Sequence, residues 1–154
     1  MSMVQEIEMM SHVAFGVLGI LIGVWLFAEL LHASEKNLRR MTYLSIGLGL
    51  SMWLSYLIAG HWYVSYYPAD KAIILAGDWP WAHQFFMEAK EHLFFILLMA
   101  ATYLPIAIRS KLLLTDQNYQ RMVLALTIVV VAIGLAMDGM GAIIATGVRV
   151  GLDG

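Results

Sequence analysis

Two segments of the sequence decide the fold: Glu8-Met9-Met10-Ser11-His12-Val13-Ala14-Phe15 and Glu88-Ala89-Lys90-Glu91-His92-Leu93-Phe94-Phe95. Each begins with a glutamate four residues before a histidine, at the edge of a long apolar run. Residues four apart lie on the same face of an α-helix, about one turn from each other. The sequence therefore predicts two long helices that each begin with the same pair of ionisable side chains.

A second pair of segments follows the first at nearly the same distance: Ser34-Glu35-Lys36-Asn37-Leu38-Arg39-Arg40-Met41 and Thr115-Asp116-Gln117-Asn118-Tyr119-Gln120-Arg121-Met122. His12 and Asn37 are 25 positions apart, and His92 and Asn118 are 26 positions apart. The two pairs together predict an internal duplication of residues 8–62 and 88–143, with an aromatic-rich connection of residues 63–87 between the copies.

Composition places the chain among integral membrane proteins. Of the 154 residues, 61% are hydrophobic and only 13% are charged, which is more apolar side chain than a soluble domain of this size can bury. A net charge of −2 and the lack of a basic stripe argue against nucleic acid as a partner. Because the chain has no cysteine, disulfides, thiolate metal sites, iron–sulfur clusters and covalent c-type haem are excluded.

Four stretches are long enough to cross the hydrocarbon core, which takes about 20 helical residues: residues 12–32, 41–62, 88–108 and 122–147. We therefore expect an all-α integral membrane protein, a four-transmembrane-helix bundle made of two duplicated helical hairpins in a single membrane domain, residues 1–154. Basic residues collect in the two short loops: Lys36, Arg39, Arg40, Arg109, Lys111 and Arg121. The positive-inside rule then predicts both loops in the cytoplasm and both termini extracytoplasmic, as in a multi-pass protein of a bacterial or archaeal inner membrane.

The histidines suggest a haem site. His12 and His92 are equivalent in the duplication, and His61 and His83 belong to the same end of the predicted bundle. Two imidazoles at matched depth, on helices that face a shared core, are what axial ligation of haem b requires. Glycines in the spans would give the ring room, although small residues also serve close helix packing in membranes. This layout resembles that of membrane b-type cytochromes in general, a resemblance of architecture alone.

The same residues also suit a non-haem metal. Glu8, His12, Glu88 and His92, with Asp138 from the fourth span, offer mixed oxygen and nitrogen ligands for iron, copper, manganese or zinc. Under the haem hypothesis the two glutamates would instead accept the proton of a ligand imidazole. As a third interpretation, they are interfacial side chains that face water.

Asp138 lies inside an apolar stretch, where a carboxylate costs a few kcal/mol unless it is paired, protonated or hydrated. It is therefore a candidate metal ligand, proton relay or partner of Lys90 or His61. Glu29, in the first span, is expected to pair with Arg39 or Arg40.

Three functions fit these observations. The first is a membrane b-type cytochrome or cytochrome-like electron-transfer subunit, which would work with other membrane subunits or an extracytoplasmic redox partner, and with quinol. The second is a non-haem metal protein, and the third is a structural accessory subunit of a larger membrane complex. No motif of a soluble enzyme is present, so catalytic activity stays open.

Overall fold

A computed structural model describes residues 2–153 as an all-helical chain without a strand. The helices are α1 (Met3–Leu30), α2 (Glu35–Ser65), α3 (Tyr67–Ala76), α4 (Glu88–Ile108), α5 (Leu112–Thr115) and α6 (Gln117–Asp153). A π-helical turn, Ala82–Met87, runs directly into α4. The expected fold class is confirmed at this level: an all-α chain with four long apolar helices.

The four long helices are apolar enough to cross a membrane. They comprise 28, 31, 27 and 37 residues when the π-helical turn is counted with α4. Each begins before the span predicted from sequence, and α2 and α6 also end beyond it, because these helices continue through the polar residues that flank the apolar runs. At 1.5 Å per residue even the shortest is about 40 Å long, enough for the hydrocarbon core and part of each interface.

The long helices form a bundle in which each packs against two neighbours. Helix α1 packs against α2 and α6, and α4 packs against the same two helices, so α1 and α4 lie diagonally across the bundle. One apolar core runs along its centre, with fully buried residues from all four helices, among them Leu26, Leu48, Leu104 and Val130. The bundle contains two helical hairpins, α1–α2 and α4–α6; their origin by duplication stays a prediction.

Glycines in the spans serve close helix packing. A Cβ atom at Gly23 would lie 2.8 Å from the Val131 side chain, and one at Gly134 would lie 2.9 Å from Ile20. Neighbouring helices therefore fill the space above these residues. This is the packing role that small residues commonly have in membrane helices.

The loop between α1 and α2 is fixed by a buried asparagine. The Asn37 amide donates to the carbonyl oxygens of Glu29 and His32 and to the Glu29 carboxylate, and its own oxygen accepts from the Ser34 backbone N–H. Glu29 also forms an ion pair with Arg40 at 2.9 Å, which confirms one of the two partners predicted for it. These contacts tie the end of α1 to the start of α2. We call this end of the bundle the loop end.

The opposite end holds the start of α1, the end of α2, the π-helical turn and the start of α4, and we call it the histidine end. The connection between the second and third long helices contains the short helix α3, which packs against α6. A Cβ atom at Gly77 would lie only 2.7 Å from the Gly151 Cα atom, so the two backbones touch where α3 ends. Residues 67–87 thereby form a packed cap over the histidine end.

Candidate functional site

Four of the five histidines lie at the histidine end, but their surroundings differ. His83 is buried, His12 is partly buried, and His61 and His92 are exposed. His32 lies beyond α1 at the loop end, away from the others. The structure therefore has these four histidines at one end of the bundle, as the sequence analysis expected, but buries them to different degrees.

His12 faces the interior and is held by α2. Its Nδ1 atom lies 3.0 Å from the Ser55 backbone carbonyl oxygen and 2.9 Å from the Ser55 hydroxyl, which in turn donates to the His12 carbonyl at 3.0 Å. A carbonyl oxygen can only accept, so this geometry assigns the neutral-ring proton to Nδ1. The Nε2 atom is then the ring position that can accept a proton.

A small cavity lies beside His12 in the middle of the bundle. Its polar lining consists of one side chain from each long helix: His12 (α1), Ser55 (α2), Lys90 (α4) and Asp138 (α6). Its volume of about 20 Å³ is room for a single water molecule. The remaining lining is apolar or glycine. We call these four residues the central polar site.

The central polar site contains charges of opposite sign that do not touch. Within residues 2–153, no ion pair within 4.0 Å joins Lys90 to Asp138. Asp138 stays exposed on one side, while Lys90 is partly buried against α6, where a Cβ atom at Gly141 would lie 3.2 Å from its Nζ atom. Polar groups separated by more than hydrogen-bond distance are commonly bridged by water. The cavity therefore suits one water molecule that bridges the polar side chains of the site. Asp138 is the member of the site that is exposed at the surface of the bundle.

The structure does not bring His12 and His92 together. His92 is exposed on α4, and its Nδ1 atom lies 2.7 Å from the Glu88 carbonyl oxygen of its own helix. At the equivalent depth, α4 turns Lys90 toward the cavity instead. A cavity for one water molecule does not accommodate a porphyrin, so haem b does not fit between these two histidines in this arrangement.

The proposed non-haem ligands are also apart. Glu8 lies 3.1 Å from His61 Nδ1, and Glu88 lies 3.8 Å from His83 Nε2, so each glutamate has a histidine neighbour other than the one predicted. Among residues 2–153, no three His, Asp or Glu side chains come close enough to hold a metal ion. Glu8, His12, Glu88, His92 and Asp138 thus do not form one ligand set in this structure.

A second polar pair lies within the cap; the sequence analysis named one of its members, His83, as a candidate haem ligand but missed its partner, Tyr67. The Tyr67 hydroxyl lies 3.0 Å from His83 Nδ1, and both side chains are buried, with exposures of 1% and 4%. Burial raises the pKa of the Tyr67 hydroxyl above its ordinary value, and the nearby Tyr63 hydroxyl and several carboxylates add to the effect. The π-helical turn supplies His83, and the aromatic composition of residues 63–87 gave no sign of this pairing.

The sequence did single out Asp138, with Lys90 or His61 as its expected partner; the structure places Lys90 on the same cavity but shows no ion pair of Asp138 with either residue within 4.0 Å. The sequence analysis missed Ser55. The available signal was the spacing of Ser51 and Ser55 on α2, since residues four apart share a helix face. Both serines are buried on the face that turns toward the core. Comparison with protein-family models, with curated proteins and with solved structures gives no match to this chain.

Proposed function

We propose that this chain is a multi-pass membrane protein that conducts protons across the bilayer and relays them through side chains inside the half nearest the histidine end. The central polar site would carry them. The orientation predicted from loop charge, with both termini extracytoplasmic, belongs to this proposal. It can be checked by fusing a topology reporter to the C-terminus.

One observation carries the proposal: ionisable side chains from α1, α4 and α6 converge, with Ser55 of α2, on a cavity for one water molecule inside an apolar bundle. Ionisable side chains within membrane helices are costly and are rarely retained without a function. Proton relays are among the commonest of those functions. With Lys90 and Asp138 both charged, the site is also close to neutral overall, which lowers the cost of placing it there.

The geometry supports a definite order of proton transfer. Asp138 is the exposed member, and in this proposal water that reaches it from the histidine end supplies and removes the proton. A water in the cavity passes a proton between the Asp138 carboxylate and His12 Nε2, while Ser55 keeps the His12 ring in one tautomer. Lys90 contributes a positive charge beside this path.

Proton flux into liposomes tests this proposal. We expect the purified protein, reconstituted with a pH-sensitive dye inside the vesicles, to conduct protons when a potassium diffusion potential is applied. Asp138→Asn should lower the rate by about tenfold or more, because an amide cannot take up and release the proton at the exposed step. The matched control is Asp78→Asn, an exposed carboxylate in the connection before the π-helical turn, which should conduct like the wild type.

Equal flux through wild type, Asp138→Asn and empty vesicles would contradict a proton relay. A loss of flux in both aspartate variants would also contradict it, because Asp78 has no place in the path.

Electron transfer on haem b is a second proposal, favoured by the position of four histidines at one end of the bundle. Because His12 and His92 do not face each other, the ligand pair would have to include another histidine. His61 is the strongest alternative, since its side chain is 63% exposed, and Glu8, 3.1 Å from its Nδ1 atom, would accept the ring proton of a ligand imidazole.

An absorption spectrum distinguishes this second proposal from the others. Sharp α and Soret bands after reduction with dithionite would support a b-type cytochrome, and their loss in His61→Ala would assign the ligand. Bound iron, copper, manganese or zinc without those bands would support the non-haem site. A protein with neither bands nor metal would exclude both cofactors and leave the proton relay or a structural accessory subunit.

A further inference from the structure

A groove of about 420 Å³ runs along the outside of the bundle between α2 and α4. Both helices are candidate membrane spans, so the groove would open to the hydrocarbon of the bilayer rather than to water. Its volume falls within the range of about 300–1,000 Å³ that is usual for small-molecule sites. A ligand of this groove must therefore be a molecule that partitions into the bilayer.

The walls of the groove are aromatic. Tyr56 lies near its centre, with its ring centroid 5.9 Å from that of Trp53 and 6.2 Å from that of Phe95. The Trp53 indole donates a hydrogen bond to Thr102 across the two helices at 3.0 Å, which fixes the wall. Such walls suit a flat ring, because aromatic rings prefer stacked or edge-to-face neighbours.

Two hydroxyl groups in the groove have no acceptor. Neither Tyr56 nor Tyr103 forms a hydrogen bond with another residue of the described chain. In hydrocarbon there is no water to satisfy a hydroxyl, and a lipid chain offers no acceptor. The missing partner is therefore an acceptor carried by the occupant itself.

The groove also lies next to the central polar site. The Phe94 ring lines the central cavity on one side and packs against Tyr56 on the other, with ring centroids 5.1 Å apart. One aromatic side chain thus separates the occupant of the groove from the cavity, and Ser55 precedes Tyr56 in α2.

From these contacts we infer that the groove binds an isoprenoid quinone. The quinone ring lies beside Tyr56, and one ring carbonyl accepts a hydrogen bond from the Tyr56 hydroxyl. The isoprenoid tail lies along Met99 and Ile106. A quinone combines the required properties: a flat ring, carbonyl acceptors and a hydrocarbon tail. Any exchange of protons between the quinol form and the central polar site rests on the proposed function, whereas binding does not.

Equilibrium binding to the protein in lipid nanodiscs tests the inference, with empty nanodiscs subtracted. The probes are a decyl-substituted benzoquinone and decylbenzene, which has the same chain and a ring without carbonyls. We expect the quinone to bind at least about tenfold more tightly than decylbenzene, and Tyr56→Phe to remove most of that difference without changing decylbenzene binding. Tyr43→Phe, at the loop end, is the matched control and should bind like the wild type.

Equal affinity of the two probes would overturn the inference and leave a groove for lipid chains only. Quinone affinity within twofold of wild type in Tyr56→Phe would overturn the assigned contact. Met99→Trp, which fills the groove, should abolish quinone binding, and retained binding would place the quinone elsewhere. None of these results depends on proton flux, so the inference and the proposed function can fail separately.

Discussion

Asp138→Leu is expected to lower the free energy of unfolding by about 2 kcal/mol, although it replaces a carboxylate with a side chain better suited to an apolar helix. The reason is Lys90, which would keep its positive charge in the central cavity without the opposite charge that now lies across it. Removing one partner of a buried pair of charges typically costs 3–5 kcal/mol. An exposed pair contributes only about 1 kcal/mol or less. We expect a cost between these two figures, because Lys90 is partly buried whereas Asp138 is exposed and forms no ion pair with it within 4.0 Å.

The double variant Lys90→Met/Asp138→Leu should recover most of this loss. Replacing both charges with apolar side chains of similar size leaves nothing unpaired, and such replacements are often neutral or stabilising. Denaturation in detergent micelles, followed by circular dichroism, measures the free energies of wild type, Lys90→Met, Asp138→Leu and the double variant, and hence the coupling between the two sites. Lys36→Met, an exposed lysine at the loop end, is the control for loss of a positive charge. A double variant as unstable as Asp138→Leu would show that the two charges do not interact.

The general architecture could be predicted because hydrophobicity and length are strong signals in membrane helices. The four long apolar helices, their order in the chain and the Glu29–Arg40 pair all followed from apolar runs and the charges that flank them. Asp138 was recognisable for the same reason, since a lone carboxylate in an apolar stretch needs an explanation.

Which face of each helix packs into the core could not be predicted in the same way. In a soluble protein, polar residues mark the outer face of a helix, but lipid-facing and core-facing residues are both apolar in a membrane. On α4 the residues that face the core are Lys90, Phe94, Leu97, Ala101 and Leu104. His92 is off that stripe, whereas His12 lies on the core-facing stripe of α1 with Gly16 and Ile20. The repeated Glu-x-x-x-His pattern matched two positions in sequence that occupy different faces in space.

The structure of the cap could not be predicted from the sequence for a different reason. A π-helical turn has no distinctive sequence pattern, and here it begins the helix that carries Lys90. Such turns often occur at functional sites because they change the direction in which side chains point. The buried Tyr67–His83 pair depends on that local geometry and on the packing of α3 against α6. Residue types alone indicated an aromatic-rich connection with one candidate ligand, His83, but not the pairing of His83 with Tyr67.

Gly49→Leu is the second substitution expected to have a large effect, at about 3 kcal/mol of unfolding free energy. Gly49 is buried where α2 crosses α4, and a Cβ atom there would lie 3.3 Å from the Ala101 carbonyl oxygen. Because the obstacle is backbone, a leucine can be accommodated only if the two helices move apart. Their separation would also weaken the core around Leu48 and change the groove between α2 and α4.

Gly60→Leu is the matched control within the same helix. A Cβ atom at Gly60 has no neighbour within 4 Å, so the leucine meets open space, and its higher helix propensity should leave stability unchanged or raise it by about 1 kcal/mol. Denaturation of the two variants under identical detergent conditions compares them directly. If Gly49→Leu were as stable as Gly60→Leu, the close approach of α2 and α4 would be wrong. The separation of the central cavity from the groove by a single aromatic ring would then lose its basis, because that ring is held between these two helices.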